Sequence, residues 1–317
     1  MELRTISSNG IRMRIAEHGS GPLVLLLHGF PESWYSWRHQ LPALAAAGFH
    51  VVAPDQRGYG GSDAPPAIEE YDIFHLVDDA VGVLDALGEK RAVVVGHDWG
   101  APVAWHCALL RPERFRAVAA LSVPYVGRAP APPTQLFRMM AGDRFFYILY
   151  FQQPGVAERE LESDVRSTMR RFLYAASGDV TEPADFWQKP KEATFLEGLP
   201  EPKTLPGWLT AADLDYFTAE FSRTGFRGGL NWYRNFDRNW ELTPQLDGAK
   251  VTQPALFIAG ERDGVLAMVP VDAMRDLVPD LRRLLLIPGC GHWTQQERPA
   301  EVNAALLEFL KGLEGSA

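Results

Sequence analysis

Short runs that are apolar at every position recur along this chain and restrict its fold more than any other feature. Leu23-Val24-Leu25-Leu26-Leu27-His28 is the first, and His50-Val51-Val52-Ala53-Pro54-Asp55, Arg91 to Val95 and Arg116 to Val123 repeat it. A strand without a polar face suits the middle of a sheet that is covered on both sides. Between these runs lie helical stretches at about 36–47, 72–87 and 101–110. Such alternation predicts βαβ units and a mostly parallel sheet in an α/β core. Leu3 to Ser7 and Ile11 to Glu17 read as two leading strands joined at Asn9-Gly10, a strong hairpin signal. Open parallel sheets hold their sites at the carboxyl ends of the strands.

From about Tyr125 to Leu246 the buried-strand signature disappears, and aromatics, prolines and amphipathic stretches replace it. Arg128 to Pro133 reads as an extended linker, and Glu158 to Ala176, Ala211 to Thr224 and Gly229 to Trp240 as helices. Residues 178–208 are rich in proline and charge, with little periodicity, and read as a long excursion. Strand character returns at Pro254 to Gly260 and Leu284 to Ile287, before a final helix over Pro299 to Leu313. The expectation is therefore a core made of residues 1–124 and 247–317, with a helical lid at 125–246.

Composition narrows the class of partner. A formal charge of −9 over 317 residues argues against nucleic acid and anionic membranes, both of which need a basic face. The first residues are too polar for a signal peptide, and no apolar run reaches membrane-spanning length. Two cysteines, Cys107 and Cys290, make neither a disulfide framework nor metal spacing, as expected of a cytoplasmic protein. No cofactor or metal is expected. Oligomeric state is not written in the chain, and a homodimer stays open.

The third apolar run leads into Gly96-His97-Asp98-Trp99-Gly100-Ala101, which precedes an apolar helical stretch. Strand, sharp turn and helix with small residues around the turn is the nucleophile-elbow pattern, here with Asp98 where many hydrolases carry serine. Taken alone, the hexapeptide reads equally well as a βα turn with a capping aspartate. Other segments converge on it. His28-Gly29-Phe30-Pro31 ends a strand and can present the Phe30 N–H beside Asp98; with the Trp99 N–H it would form an oxyanion hole. His292, in Gly289-Cys290-Gly291-His292-Trp293, follows both nucleophile and acid in the order this arrangement requires. Cys290 raises the thought of zinc, but no further ligands cluster near it. Asp263, after the penultimate strand, is the natural partner of His292, with Glu261 a local competitor. Asp55 also ends a strand, but its surroundings read as a hydrogen-bonded loop.

An aspartate nucleophile changes the reaction, because a carboxylate needs no base before attack and forms an alkyl ester at saturated carbon. His292 would then activate water against that ester. Epoxides and alkyl halides offer such a carbon. An epoxide leaves as an alkoxide and needs acidic donors, and tyrosines suit that task. Phe145-Phe146-Tyr147-Ile148-Leu149-Tyr150-Phe151 and Asn231-Trp232-Tyr233-Arg234 supply several, although tyrosines in such helices are more often amphipathic core.

Over essentially its whole length the chain resembles the soluble epoxide hydrolases of the α/β-hydrolase fold. His28 to Arg38 matches that family's oxyanion segment, and Gly96 to Gly100 its elbow. Tyr147 to Gln152 with Pro154-Gly155 is similar to the segment whose first tyrosine polarises the epoxide, and Tyr233 falls at the second. The residues alone do not choose Tyr147 over Tyr150; the resemblance implies Tyr147. It further implies Asp98, His292 and Asp263 as the catalytic set, acting on a small apolar epoxide and water. Mammalian members carry an extra amino-terminal domain for which this chain has no room. Trp34, Trp37, Met139, Phe151 and the 178–208 excursion are expected to line the pocket. Haloalkane dehalogenases on this fold are the nearest rival, but many have asparagine at the position of Phe30. Fluoroacetate-type members have arginine where this chain has Trp99. A non-catalytic receptor on the same fold is a reading of another class, which an intact residue set gives no reason to prefer.

Overall fold

The computed structural model describes residues 1–181, 189–269 and 271–314. Its strands are β1 (Glu2–Ser8), β2 (Ile11–His18), β3 (Leu23–Leu27), β4 (His50–Pro54), β5 (Ala92–His97), β6 (Phe115–Leu121), β7 (Ala255–Gly260) and β8 (Leu281–Ile287). They form one sheet in the order β1-β2-β4-β3-β5-β6-β7-β8. The pairings of β2 with β1 and β4 are antiparallel, and β3 to β8 run parallel. At the β1–β2 hairpin Asn9 and Gly10 have φ of 45° and 78°, the left-handed pair of a tight turn.

The unbroken apolar runs have the reason the sequence suggests. In β3, Leu23, Leu25 and Leu27 face one core while Val24 and Leu26 face another; in β5, Ala92 and Val94 oppose Val93 and Val95. Helices α1 (Gln40–Ala46) and α14 (Pro299–Glu314) cover one face, while α2 (Ile73–Leu87) and α3 (Gly100–Leu110) cover the other. Asp72 caps α2 by accepting from the Phe74 and His75 N–H groups, and Gly88, at φ 73°, ends it.

Between β6 and β7 the described residues form α4 (Pro133–Ala141), α5 (Tyr147–Tyr150), α6 (Val156–Leu161), α7 (Val165–Ala175), α8 (Ala211–Thr224), α9 (Arg227–Arg234) and α10 (Phe236–Leu242). Then follow α11 (Gly264–Met268) and α12 (Met274–Leu277), and after β8 comes α13 (Thr294–Glu297). Helix α8 starts on a reciprocal cap, Thr210 Oγ1 accepting from the Asp213 N–H and Asp213 from the Thr210 N–H. The expected helix over Glu158 to Ala176 is two, because Asp164 accepts from the Ser167 N–H and starts α7 afresh. That over Gly229 to Trp240 also breaks, at Asn235, whose side chain donates to the carbonyls of Ile68 and Asn231. Part of the 178–208 excursion, 182–188, lies outside the described residues; 189–208 contain no helix or strand, only a bridge from Arg144 to Pro190. Among the described residues no helix is long and apolar enough to cross a membrane.

Candidate active site

Asp98 occupies the turn between β5 and α3 with φ of 49°, a left-handed conformation that non-glycine residues rarely adopt. The surrounding glycines are forced by space. A Cβ on Gly96 would lie 2.0 Å from the Gly100 carbonyl oxygen, and one on Gly100 2.1 Å from that of Leu27. On Gly29 it would stand 2.3 Å from Asp98 Oδ1. The turn is thus wedged between two strands, and its carboxylate is pushed out at their carboxyl ends.

Asp98 Oδ1 accepts the Phe30 N–H at 2.7 Å, and Oδ2 lies 3.4 Å from His292 Nε2. On the far side of the ring, His292 Nδ1 is 3.1 Å from each carboxylate oxygen of Asp263. Asp263 follows β7 and also caps α11, accepting the Val265 N–H at 2.9 Å. Glu261, its competitor in the sequence, is exposed. Asp55 is spent on its loop, holding the Trp34 and Gly61 N–H groups and Arg14. Trp99 stands at the start of α3, so its N–H belongs to the unpaired first turn of that helix.

Burial opposes a charge on His292, yet the carboxylates of Asp263 and Asp98 outweigh it and raise its pKa well above the ordinary value. Burial pushes the Asp263 carboxyl up, and the His292 charge and hydrogen bond pull it below its usual range. The pair stores a proton between them.

Tyr147 and Tyr233 line the same cavity as Asp98, with ring centroids 6.1 Å apart. Burial first, and then the charge of Asp98, lift both phenols above their ordinary value, so at neutral pH they are donors. Tyr150 is turned elsewhere, its hydroxyl donating to Glu160 Oε2 at 2.8 Å. Of the two tyrosines that the residues alone left open, Tyr147 faces the cavity of Asp98 and Tyr150 does not line it.

The cavity measures about 410 Å³ and is mainly apolar, with Trp105, Leu136, Phe137, Met140 and Phe236 among its walls. Trp34, Trp37, Met139 and Phe151, expected to line it, do not, and neither do the described residues of the 178–208 excursion. Trp34 and Trp37 are buried in the core on the other face of the sheet, under α1 and α14. Met139 is 74% exposed, because α4 turns Leu136, Phe137 and Met140 inward and leaves Met139 on its outer side. Phe151 is fully buried behind the tyrosines, its ring 5.6 Å from Tyr147 and 5.1 Å from Tyr233. The spacing of Leu136, Phe137 and Met140 is the helical one and was the available signal for this wall.

Sequence reasoning also missed a buried support under the histidine loop. His97 Nε2 lies 2.7 Å from the His292 carbonyl oxygen, and its Nδ1 2.8 Å from Glu32 Oε2. Ser122 Oγ donates to the same His292 carbonyl at 3.0 Å. Glu32 accepts from the Gly29 N–H and from the Gln295 and Gln296 amides. Burial disfavours the Glu32 charge, but His97 outweighs it and holds the carboxyl at about 2. The Phe30 turn and the His292 loop are thereby tied to one fully buried carboxylate.

The family model for the alpha/beta hydrolase fold matches residues 22–299. Epoxide hydrolase A of Mycobacterium tuberculosis is 55% identical over 98% of this chain and 98% of its own. The bifunctional epoxide hydrolase 2 of Sus scrofa is 45% identical over 95% of this chain, which spans 54% of that protein. The crystal structure of epoxide hydrolase A from Mycobacterium thermoresistibile superposes with a TM-score of 0.95 at 55% identity, covering 98% of both chains. With the elbow, the sheet order and full-length identity in agreement, this chain belongs to the epoxide hydrolases of the α/β-hydrolase fold.

Proposed function

We propose that the chain converts epoxides to vicinal diols in two steps at Asp98, with residues 125–246 as the lid over a core of 1–124 and 247–317. Asp98 attacks a ring carbon while Tyr147 and Tyr233 donate to the epoxide oxygen, and one phenol gives its proton to the leaving alkoxide. The product is an alkyl ester and a tyrosinate. His292 then takes a proton from water, which attacks the ester carbonyl. The Phe30 and Trp99 N–H groups stabilise the oxyanion, a kind of donor worth about 3–4 kcal/mol each. In collapse the leaving alkoxide takes the proton of the regenerated carboxyl, which releases the diol and restores the Asp98 carboxylate. The imidazolium is then that of the resting site, and the tyrosinate recovers its proton from the one that His292 gave to solvent before the second step.

The raised pKa of His292 fits this order. In the resting site it faces two carboxylates, which suits a protonated ring, whereas a general base must be neutral. Esterification of Asp98 removes one of those charges, and the ring becomes a better proton donor to solvent when its free Nε2 is next needed. The observation that carries the reading is the pair of protonated phenols opposite Asp98 in one apolar cavity. Halide departure has no use for two such acids.

One turnover in ¹⁸O-water with enzyme in excess is the test. It should give mainly unlabelled diol, with the label left in Asp98. His292→Gln should accumulate an adduct on the Asp98 peptide. Label in the first diol, with no adduct in the variant, would mean direct attack by water. Haloalkanes run in parallel should turn over far more slowly than aryl or terminal epoxides. Cytoplasmic location and the absence of a cofactor belong to the same reading.

A further inference from the structure

Among the described residues, three that are not glycine have a left-handed φ: Asn9, Asp98 and Ser122. Asn9 belongs to a hairpin turn that favours it, and Asp98 is the nucleophile. Ser122 follows β6 with φ of 71°, and across it the Val123 N–H donates to the Leu121 carbonyl at 2.9 Å. A three-residue ring with positive φ at its centre is the rare, strained kind of γ-turn. Glycine would adopt it without penalty, yet the residue here is a serine, and it is fully buried. A side chain kept in a strained conformation beside an active site points to a task for that side chain.

The hydroxyl has one within reach. Ser122 Oγ donates to the His292 carbonyl at 3.0 Å and lies 3.2 Å from Thr294 Oγ1. Burial raises the Asp263 carboxyl, and the Ser122 hydroxyl is among the groups, after His292 and the Val265 N–H, that pull it below its usual range. One side chain thus serves both the histidine and its acid. Its backbone is tied to the strands that carry the rest of the site. The Ser122 N–H donates to the Ile258 carbonyl of β7 at 2.9 Å, and the Asp98 N–H to the Leu121 carbonyl at 3.3 Å. Attack on the epoxide uses Asp98 and the two phenols. Only the hydrolysis of the ester needs His292 to turn Nε2 to water while Nδ1 faces Asp263.

We propose that Ser122 is a positioning residue for the second chemical step: its hydroxyl, held in a strained turn, keeps the His292 ring aligned between Asp263 and the Asp98 ester. This rests on the two-step epoxide reading above and adds a residue to it. Stability is given up at the end of β6, and the rate of ester hydrolysis is what it maintains.

Two variants of the whole protein separate the hydroxyl from the turn. Ser122→Gly and Ser122→Ala both lose the hydroxyl, but glycine relieves the turn and alanine keeps it strained. Ser122→Gly should therefore unfold at a higher urea concentration than Ser122→Ala. Single turnovers of styrene oxide, quenched and read as added mass on the Asp98 peptide, resolve the two steps. In both variants the ester should form within about threefold of the unaltered rate and decay about ten- to a hundredfold more slowly. In the steady state kcat and KM should fall together, because ester accumulates; a loss of folded protein would lower kcat alone. Ester decay at the unaltered rate in Ser122→Gly overturns the proposal, as does ester formation slowed as much as its decay. Equal urea midpoints for the two variants would overturn it too, since the turn would then carry no strain. If the unaltered protein forms no ester from styrene oxide, the two-step reading itself fails and takes this proposal with it.

Discussion

The two halves of the site are held by different physics. Asp98, His292 and Asp263 each sit just beyond a strand of the parallel sheet, and backbone contacts fix them: a left-handed turn wedged between strands, a cap on α11, and a carbonyl gripped by His97 and Ser122. Tyr147 and Tyr233 come from the helical segment and are set largely by ring packing against Phe30, Phe151 and Trp99. Backbone contacts at 2.0 Å from a hypothetical Cβ leave no room for adjustment, whereas ring clusters yield by degrees. The nucleophile half is therefore expected to fail abruptly when altered, and the donor half gradually.

The largest effect should come from Gly96→Ala, which drives a methyl into the Gly100 carbonyl. We expect a loss of about 3 kcal/mol or more in stability, with turnover falling about 10²-fold or more in whatever folds. Gly207→Ala, in the helical segment with nothing within 4 Å of the new methyl, should change the denaturation midpoint by less than about 0.5 kcal/mol. Equal effects at the two glycines would erase the contrast.

Next come the donors. Tyr147→Phe and Tyr233→Phe should each slow formation of the alkyl ester about 10–10²-fold, measured by stopped-flow fluorescence, while stability stays within about 1 kcal/mol because the rings remain. The double change should nearly abolish alkylation and depart from additivity, since both phenols serve one oxygen. Tyr150→Phe, which loses only its bond to Glu160, should leave alkylation within about twofold of the unaltered rate.

The buried carboxylate gives a pH test of the core. Glu32 is held at about 2, below the ordinary 4.5. A depressed value contributes stability that is present above 4.5 and is lost as pH falls toward 2. Acid unfolding should therefore steepen in that window, and Glu32→Gln should remove that part of the slope. An identical pH profile in the variant would show that the carboxylate is not the titrating support.

The smallest effect concerns two neighbours on α4. Met140→Ala enlarges the cavity and should shift kcat/KM among bulky and small epoxides by a few-fold, about 1 kcal/mol. Met139→Ala, on the exposed side, should leave the ranking unchanged. A reversed result would return Met139 to the pocket.

What the sequence determined by itself is whatever depends on neighbours along the chain. Unbroken apolar runs placed the parallel strands, Asn9-Gly10 the hairpin, and the amphipathic stretch from Ala211 to Thr224 the helix α8. Gly96 marked the elbow, because the clash it avoids, with the Gly100 carbonyl, arises within four residues, whereas Gly100 makes room for Leu27 on the neighbouring strand. Asp98 and His292 were legible as candidates, a carboxylate in a tight turn and a histidine that follows it in order, and the structure brings them within 3.4 Å. Tertiary structure alone decided matters of direction across elements. It buried Asp263 against His292 and left Glu261 outside, turned Tyr147 to the cavity and Tyr150 to Glu160, and broke two helices where caps and inter-helix bonds competed with periodicity. It also moved the pocket wall from Trp34, Trp37, Met139 and Phe151 to Leu136, Phe137, Met140 and Trp105. Both sets are apolar, and composition cannot tell a side chain that walls a cavity from one that fills the core behind it. That distinction depends on which face of an element meets which partner, and no local pattern carries it.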